Sequence, residues 1–283
     1  MSTNIFLLIL LTGFSFVVIS ALKDPPSIIG GDRANPREYK PAARLGHRNA
    51  TLNETKWFCG GTIISDRMIL TAAHCFYSDL HFSRGSVNIV RLGELVFESD
   101  KDDADPEDFE VLELKAHPDF RYPVLYNDIG IVRLRGEIRY NRYKLPACLP
   151  LDNEDRSDAF IAIGWGQKGF SIYESRELRK VRLQNYGSVC ERTTDANDDI
   201  PEGYKSESQL CVGSPDHKDT CNGDSGGPLL IPFLGDGCQH KIMGITSVGI
   251  ACDTPNIPSL YTRVHFFKDW IKMEINRVDF PTT

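Results

Sequence analysis

From residue 28 onward the chain alternates short apolar runs with turn residues. The runs are Gly60–Leu70, Val87–Leu92, Ile129–Leu134, Ala159–Trp165, Leu229–Ile231 and Lys241–Val248. Short β-rich runs punctuated in this way predict an all-β sandwich or barrel, not a βαβ fold. One stretch breaks the rule. Phe267, Trp270, Ile271, Ile275 and Val278 recur three or four residues apart, which predicts a C-terminal helix with one apolar face. No fixed short repeat and no long linker interrupts the pattern.

The N-terminus differs from the rest. The first 20 residues carry no charged side chain, and Ile5 to Ile19 is almost wholly apolar. A bilayer span needs about 20 residues. The run therefore reads as a secretory signal peptide over 1–20, cut near Ser20 or Ala21, with a membrane anchor as the alternative. Residues 21–27 form a short Pro-containing stub, and 28–283 are left as one domain.

Eight cysteines, an even number, behind such a segment predict disulfides and a secreted, extracellular protein. Zinc is disfavoured because no Cys-x-x-Cys pair occurs. Asn49-Ala-Thr and Asn53-Glu-Thr are glycosylation sequons. Eight acids and one base between residues 98 and 110 carry charge equal to the whole formal net charge of −7. The remainder is near neutral and has no basic patch, so nucleic acid is not an expected partner.

The chemistry concentrates in Asp219-Thr-Cys-Asn-Gly-Asp-Ser-Gly-Gly-Pro228. Ser225 lies among glycines, where the backbone can bend sharply and aim N–H groups at a ligand. A serine hydroxyl needs a base to take its proton, and that base must be oriented by a third group. Thr71-Ala-Ala-His-Cys75 offers His74 at the end of an apolar run. Asn127-Asp-Ile-Gly-Ile-Val-Arg-Leu134 offers Asp128 at the mouth of another.

These three elements in the order His74, Asp128, Ser225 resemble the chymotrypsin/trypsin family of serine proteases. Ile28-Ile-Gly-Gly31, Ile163-Gly-Trp-Gly166 and Tyr261-Thr-Arg-Val264 extend the resemblance from Ile28 to about Val278. It implies two antiparallel six-stranded β-barrels with the active site between them. It implies Ser225 as nucleophile, His74 as general base and Asp128 as the group that orients it. The N–H groups of Gly223 and Ser225 would form the oxyanion hole. Asp219 would pair with a substrate Arg or Lys, Ser247 and Gly249 would line the substrate cleft, and Ser259 would stand on the pocket wall.

Three departures accompany this. Ser259 stands where glycine is usual and Val248 where tryptophan is usual, which keeps chymotrypsin- or elastase-like cleavage open. The activating cut, after which the new amine of Ile28 would pair with Asp224, would follow Ser27, where Arg or Lys is usual. An activator accepting a small residue is therefore expected. A catalytically silent protease-fold binding protein is the alternative outside enzymology.

The resemblance also implies the pairs Cys59–Cys75, Cys190–Cys211 and Cys221–Cys252. Cys148 and Cys238 remain and are expected to pair, with a bond from Cys148 to another chain as the alternative. No cofactor is required. The acidic stretch aligns with a loop that binds Ca²⁺ in some trypsins, with Glu94 as the best ligand and Asp105 or Glu107 closing the site. A solvated acidic loop is the competing reading. The motif mix looks most like the catalytic domains of arthropod clip-type cascade proteases, although these residues hold no room or cysteines for a clip domain. The implied partners are a protein or peptide substrate, an activating protease and serpin-type inhibitors. A monomer is expected, with no membrane partner.

Overall fold

The computed structural model describes residues 28, 30–77, 85–150, 157–167, 175–187, 189–216, 218–235, 237–249 and 257–277. The signal-peptide and stub expectations, Ser27, Cys252 and Val278 lie outside the described residues, as does the side chain of Val248. Strands dominate. The first six after the short β1 (Asp32–Arg33) are β2 (Ala42–Asn49), β3 (Glu54–Ile63), β4 (Met68–Thr71), β5 (Ile89–Leu92), β6 (Glu107–Ala116) and β7 (Gly130–Leu134). They close antiparallel into a barrel in the order β2-β3-β4-β7-β6-β5. Closure removes the exposed edges on which another chain could pair.

The second half repeats the plan with β8 (Ala159–Gly164), β9 (Arg179–Asn185), β10 (Gln209–Gly213), β11 (Pro228–Gly235), β12 (Cys238–Val248) and β13 (Ser259–Arg263). Pairing of β8 with both β9 and β11 closes this barrel, and β1 adds to β9. The helices are a five-residue α1 (Val189–Thr193) and α2 (Lys268–Ile275). The expected two-barrel, all-β architecture with a terminal helix is thus present.

Sequence pattern explains most of these elements. In β9 the alternation of buried Val181 and Leu183 with polar neighbours is the period-2 signature of a half-buried strand. The run Gly60–Leu70 holds two strands, because the backbone turns at 64–67 so that β4 pairs back on β3. The acidic stretch does not remain a loop. From Glu107 it becomes β6, with Phe109 buried, Glu107 and Glu110 exposed and Asp108 partly buried. Helix α2 buries Trp270 and Ile271 in the first core, where the His117 ring packs edge-on against Phe267 and Trp270.

Three disulfides staple the framework: Cys59–Cys75, Cys148–Cys238 and Cys190–Cys211. Cys148–Cys238 joins residues 90 apart in sequence, and the bridge is within the chain. Cys221 is also disulfide-bonded. Among the described residues no helix is long and apolar enough to cross a membrane.

Candidate active site

His74 sits in a 3-10 turn, Ala73–Phe76, directly after β4. The Cys59–Cys75 bridge ties that turn to β3. Asp128 sits two residues before β7, which pairs with β4, so one ladder brings both side chains to the same barrel end. Asp128 is fully buried. Its Oδ1 accepts the His74 backbone N–H at 2.8 Å, and its Oδ2 accepts from His74 Nδ1 at 2.7 Å. An ionised carboxylate can only accept, so Nδ1 carries the proton and Nε2 is left as the acceptor.

Ser247 of β12 donates to Asp128 Oδ2 at 2.5 Å, and Thr262 of β13 donates to the Asp128 carbonyl at 2.7 Å. The sequence places Ser247 with substrate and signals neither contact. Burial alone would raise the Asp128 carboxyl. Electrostatic attraction to the His74 ring and the hydrogen bonds from His74 and Ser247 outweigh it and hold the group below the usual carboxylate range.

Ser225 lies on the loop before β11. Its carbonyl accepts from Gly60 N of β3 at 2.7 Å, which pins the loop to the first barrel. Gly226 has φ +76°, and a Cβ there would meet Thr71 Oγ1 at 2.2 Å, so only glycine allows the approach. Gly223 has φ +92°, also in the left-handed half of the map. The N–H groups of Gly223 and Ser225 have no acceptor among the described residues. Nor does Ser225 Oγ bond to His74 Nε2 among the described residues. Cys59, His74 and Cys75 lie close enough together to hold a metal, but both sulfurs are spent in their disulfide.

Asp219 and Ser259 are both buried and adjacent. Ser259 Oγ lies 3.1 Å from Asp219 Oδ1 and 3.3 Å from Oδ2, and the Thr220 N–H donates to Oδ1 at 2.8 Å. Below them Thr220 Oγ1 and the Tyr261 hydroxyl are 2.9 Å apart. Nothing among the described residues lies within 4 Å of a Cβ built on the exposed Gly249. Asp224 is buried, with Oδ1 accepting from Gly166 N at 2.8 Å and Oδ2 from Cys221 N at 3.0 Å. Ile28 is buried in the second-barrel core with Phe160, Val181 and Tyr261.

The acids named for calcium do not fit a dication. Lys144, itself buried, places Nζ 3.0 Å from Asp105 and 2.8 Å from Glu107. Glu94 is buried, 3.3 Å from Arg91, and accepts the Leu95 N–H at 3.0 Å. Burial pushes its carboxyl up despite those partners. Protein cations thus stand where the ion was expected. Asn53 is exposed, with φ +48°, in the β2–β3 turn, where the Asn49 carbonyl oxygen Oδ1 accepts from the Thr51 and Leu52 N–H groups.

Comparison with known proteins agrees with this geometry. The Trypsin family model matches residues 28–271. Serine protease snk of Drosophila melanogaster is 32% identical over 92% of this chain and 60% of its own length. Phenoloxidase-activating factor 1 of Holotrichia diomphalia is 32% identical over 88% of this chain and 70% of its own. Trypsin-1 of Astacus astacus is 30% identical over 87% and 98%. The chain thus spans about three fifths of the first of these relatives and nearly all of the last. Among solved structures, mouse neuropsin, a serine protease, superposes with TM-score 0.69 at 27% identity, covering 87% of this chain and 99% of its own. By motif, fold and sequence, this chain belongs to the trypsin family of serine endopeptidases.

Proposed function

We propose that the chain is the precursor of a secreted endopeptidase that cuts after lysine or arginine, with Ser225, His74 and Asp128 as its triad. The observation that carries this reading is the buried Asp128 carboxylate gripping both the backbone N–H and Nδ1 of His74, with Nε2 left to accept a proton. Ser225 attacks the scissile carbonyl as His74 Nε2 takes its proton. Asp128 stabilises the imidazolium, which then protonates the leaving amine. The N–H groups of Gly223 and Ser225 receive the developing oxyanion. Such fixed donors stabilise charge without reorganising, and losing one typically costs about 10²–10³ in rate.

Asp219 supplies the charge that selects a basic side chain. The Ser259 hydroxyl beside both of its oxygens shapes that preference. A guanidinium pairs best with two bare carboxylate oxygens, whereas an ammonium is a point donor that can also bond the hydroxyl. Lysine is therefore the preferred residue before the cut.

In the precursor the chain continues ahead of Ile28. A cut after Ser27 would create an amine at Ile28 to pair with the buried Asp224, and Ile28 already occupies the second-barrel core. The activator accepts a small residue, so self-activation is not expected. The curated relatives include a phenoloxidase-activating factor and a proclotting enzyme. By that likeness the substrate is another protein within a proteolytic cascade, with an upstream protease and a serpin-type inhibitor as partners. Asn53 is the better exposed glycosylation site. The signal peptide, 1–20, and the stub, 21–27, complete the proposed precursor.

Controlled cleavage after Ser27 followed by labelling with a fluorophosphonate tests the reading. Labelling of the cut chain, absent in Ser225→Ala, is the expected result. An unlabelled cut chain with Ile28 as its N-terminus would favour a silent protease-fold protein.

A further inference from the structure

A cavity of about 450 Å³ opens beside Arg44 and Trp165. That size lies within the range of about 300–1,000 Å³ typical of ligand pockets. Among the described residues its lining includes Arg44 from β2, Trp57 from β3, Arg91 from β5, and Phe97, Trp165 and Arg176. It shares no lining residue with the Asp219–Ser259 cluster. Glu98 is the only acid in the described lining.

The link to the site is direct. Arg44 is buried, and its guanidinium donates to the Gly223 carbonyl at 2.5 Å. The cavity therefore begins at the residue whose N–H faces the oxyanion in the proposed mechanism. A peptide with its basic side chain at Asp219 and its scissile carbonyl at Gly223 and Ser225 must leave the site from this loop. A leaving-group half that runs on the Arg44 side, away from the Asp219 cluster, meets this cavity.

The walls brace one another. Arg91 lies over the rings of Trp57 and Phe97 at 5.2 and 5.5 Å, and Asp108 holds it through two hydrogen bonds of 2.6 and 3.0 Å. Phe97 meets Trp165 edge-on. At the mouth Arg176 pairs with Glu98 at 3.0 Å, with both side chains more than two-thirds exposed. An exposed pair of this kind is worth about 0–1 kcal/mol and exchanges easily. Arg176 can thus turn to a new carboxylate at little cost.

We infer that this cavity is a second specificity site, which takes an acidic side chain from the substrate within the first three residues after the cut. The aliphatic stem of Glu or Asp would lie on the aromatic walls, and its carboxylate would meet the guanidinium groups, whose planar forks match it. The inference rests on the proposed peptidase reading and adds a substrate class to it: basic before the cut, acidic after it.

The test uses the full chain with an engineered cleavage site in place of residues 23–27. Internally quenched peptides share one lysine before the cut and carry Glu, Gln or Lys singly at each of the next three positions. A p-nitroanilide with nothing but the chromophore after lysine serves as the control. The expected result is about a fivefold higher kcat/KM for Glu over Gln at one position, falling toward parity in 0.5 M salt, an on-the-order value at which charges are screened within a few ångströms. Arg176→Glu should reverse the order to favour Lys while leaving p-nitroanilide hydrolysis unchanged. Equal rates for Glu, Gln and Lys at all three positions, with the p-nitroanilide cleaved, would overturn the inference alone. Loss of p-nitroanilide cleavage in the unmutated enzyme would instead overturn the peptidase reading.

Discussion

At Asp128 three side-chain and backbone donors converge on one buried carboxylate, and two of them come from His74. Removing the charge while keeping the shape isolates its role. Asp128→Asn offers an amide donor where Nδ1–H must be accepted, so it favours the wrong tautomer. We expect kcat to fall by about 10⁴ in the activated enzyme, with melting temperature as the check on folding. The carboxyl lies below its usual range, so it adds stability above about pH 3.9, and that stability is lost as pH falls through the lower, folded value. At Ser259 the prediction concerns choice. Ser259→Gly removes the hydroxyl beside both Asp219 oxygens and should raise Arg over Lys in kcat/KM by about tenfold, equivalent to about 1.4 kcal/mol, read on paired p-nitroanilides. An unchanged ratio would show that the hydroxyl has no part in selection.

At the scale of elements, Lys144 joins the Asp105–Glu107 segment to the strand-poor stretch before β8. Burial opposes its charge, but Glu107 and Asp105 outweigh it and raise the ammonium above its ordinary value. Its contribution is therefore complete below about pH 10.4 and lost as pH rises through the folded value. Lys144→Met should cost about 1–2 kcal/mol, because both acids are half-exposed and can rehydrate. The melting temperature of the unmutated chain should be the same in Ca²⁺ and in EDTA; a rise of several degrees with Ca²⁺ would contradict the assignment of Lys144 as the internal cation. His117, against α2, is lowered by burial with Asp119 opposing. Its neutral form is favoured in the fold, so stability should decline as pH falls below about 6.5, and His117→Phe should flatten that slope in urea titrations.

The strands that escaped sequence reading are instructive at this same scale. β6 was hidden by its acids, since an outward face of a barrel tolerates any charge and Phe109, Val111 and Leu114 alone pack on the core. β2 was hidden by Arg44, a charge at a buried position whose purpose depends on Gly223, 179 residues away. The nucleophile loop was legible because glycines, cysteine and acids must stand at fixed places around Ser225. The Ser247–Asp128 bond was not, because Ser247 reaches a carboxylate 119 residues distant through barrel closure.

As a whole molecule, the protein is two barrels pressed together, with the nucleophile loop of the second pinned to β3 of the first through Gly60. The proposed triad is divided between them: His74 and Asp128 belong to the first barrel and Ser225 to the second. The Cys148–Cys238 bridge ties the connecting segment to β12 of the second barrel. The proposed activation, in which an amine at Ile28 pairs with Asp224 on the nucleophile loop, belongs to this scale. The uncut precursor, incubated alone, should stay intact and inert for days; cleavage at Ser27–Ile28 in that incubation would refute the need for a separate activator.

The most direct test is hydrolysis by the chain cut after Ser27. It should cleave p-nitroanilides after Lys and Arg, reject those ending in Phe or Ala, and lose the activity by about 10⁴-fold or more in Ser225→Ala. Equal cleavage by wild type and Ser225→Ala, or a preference for Phe or Ala, would contradict the account.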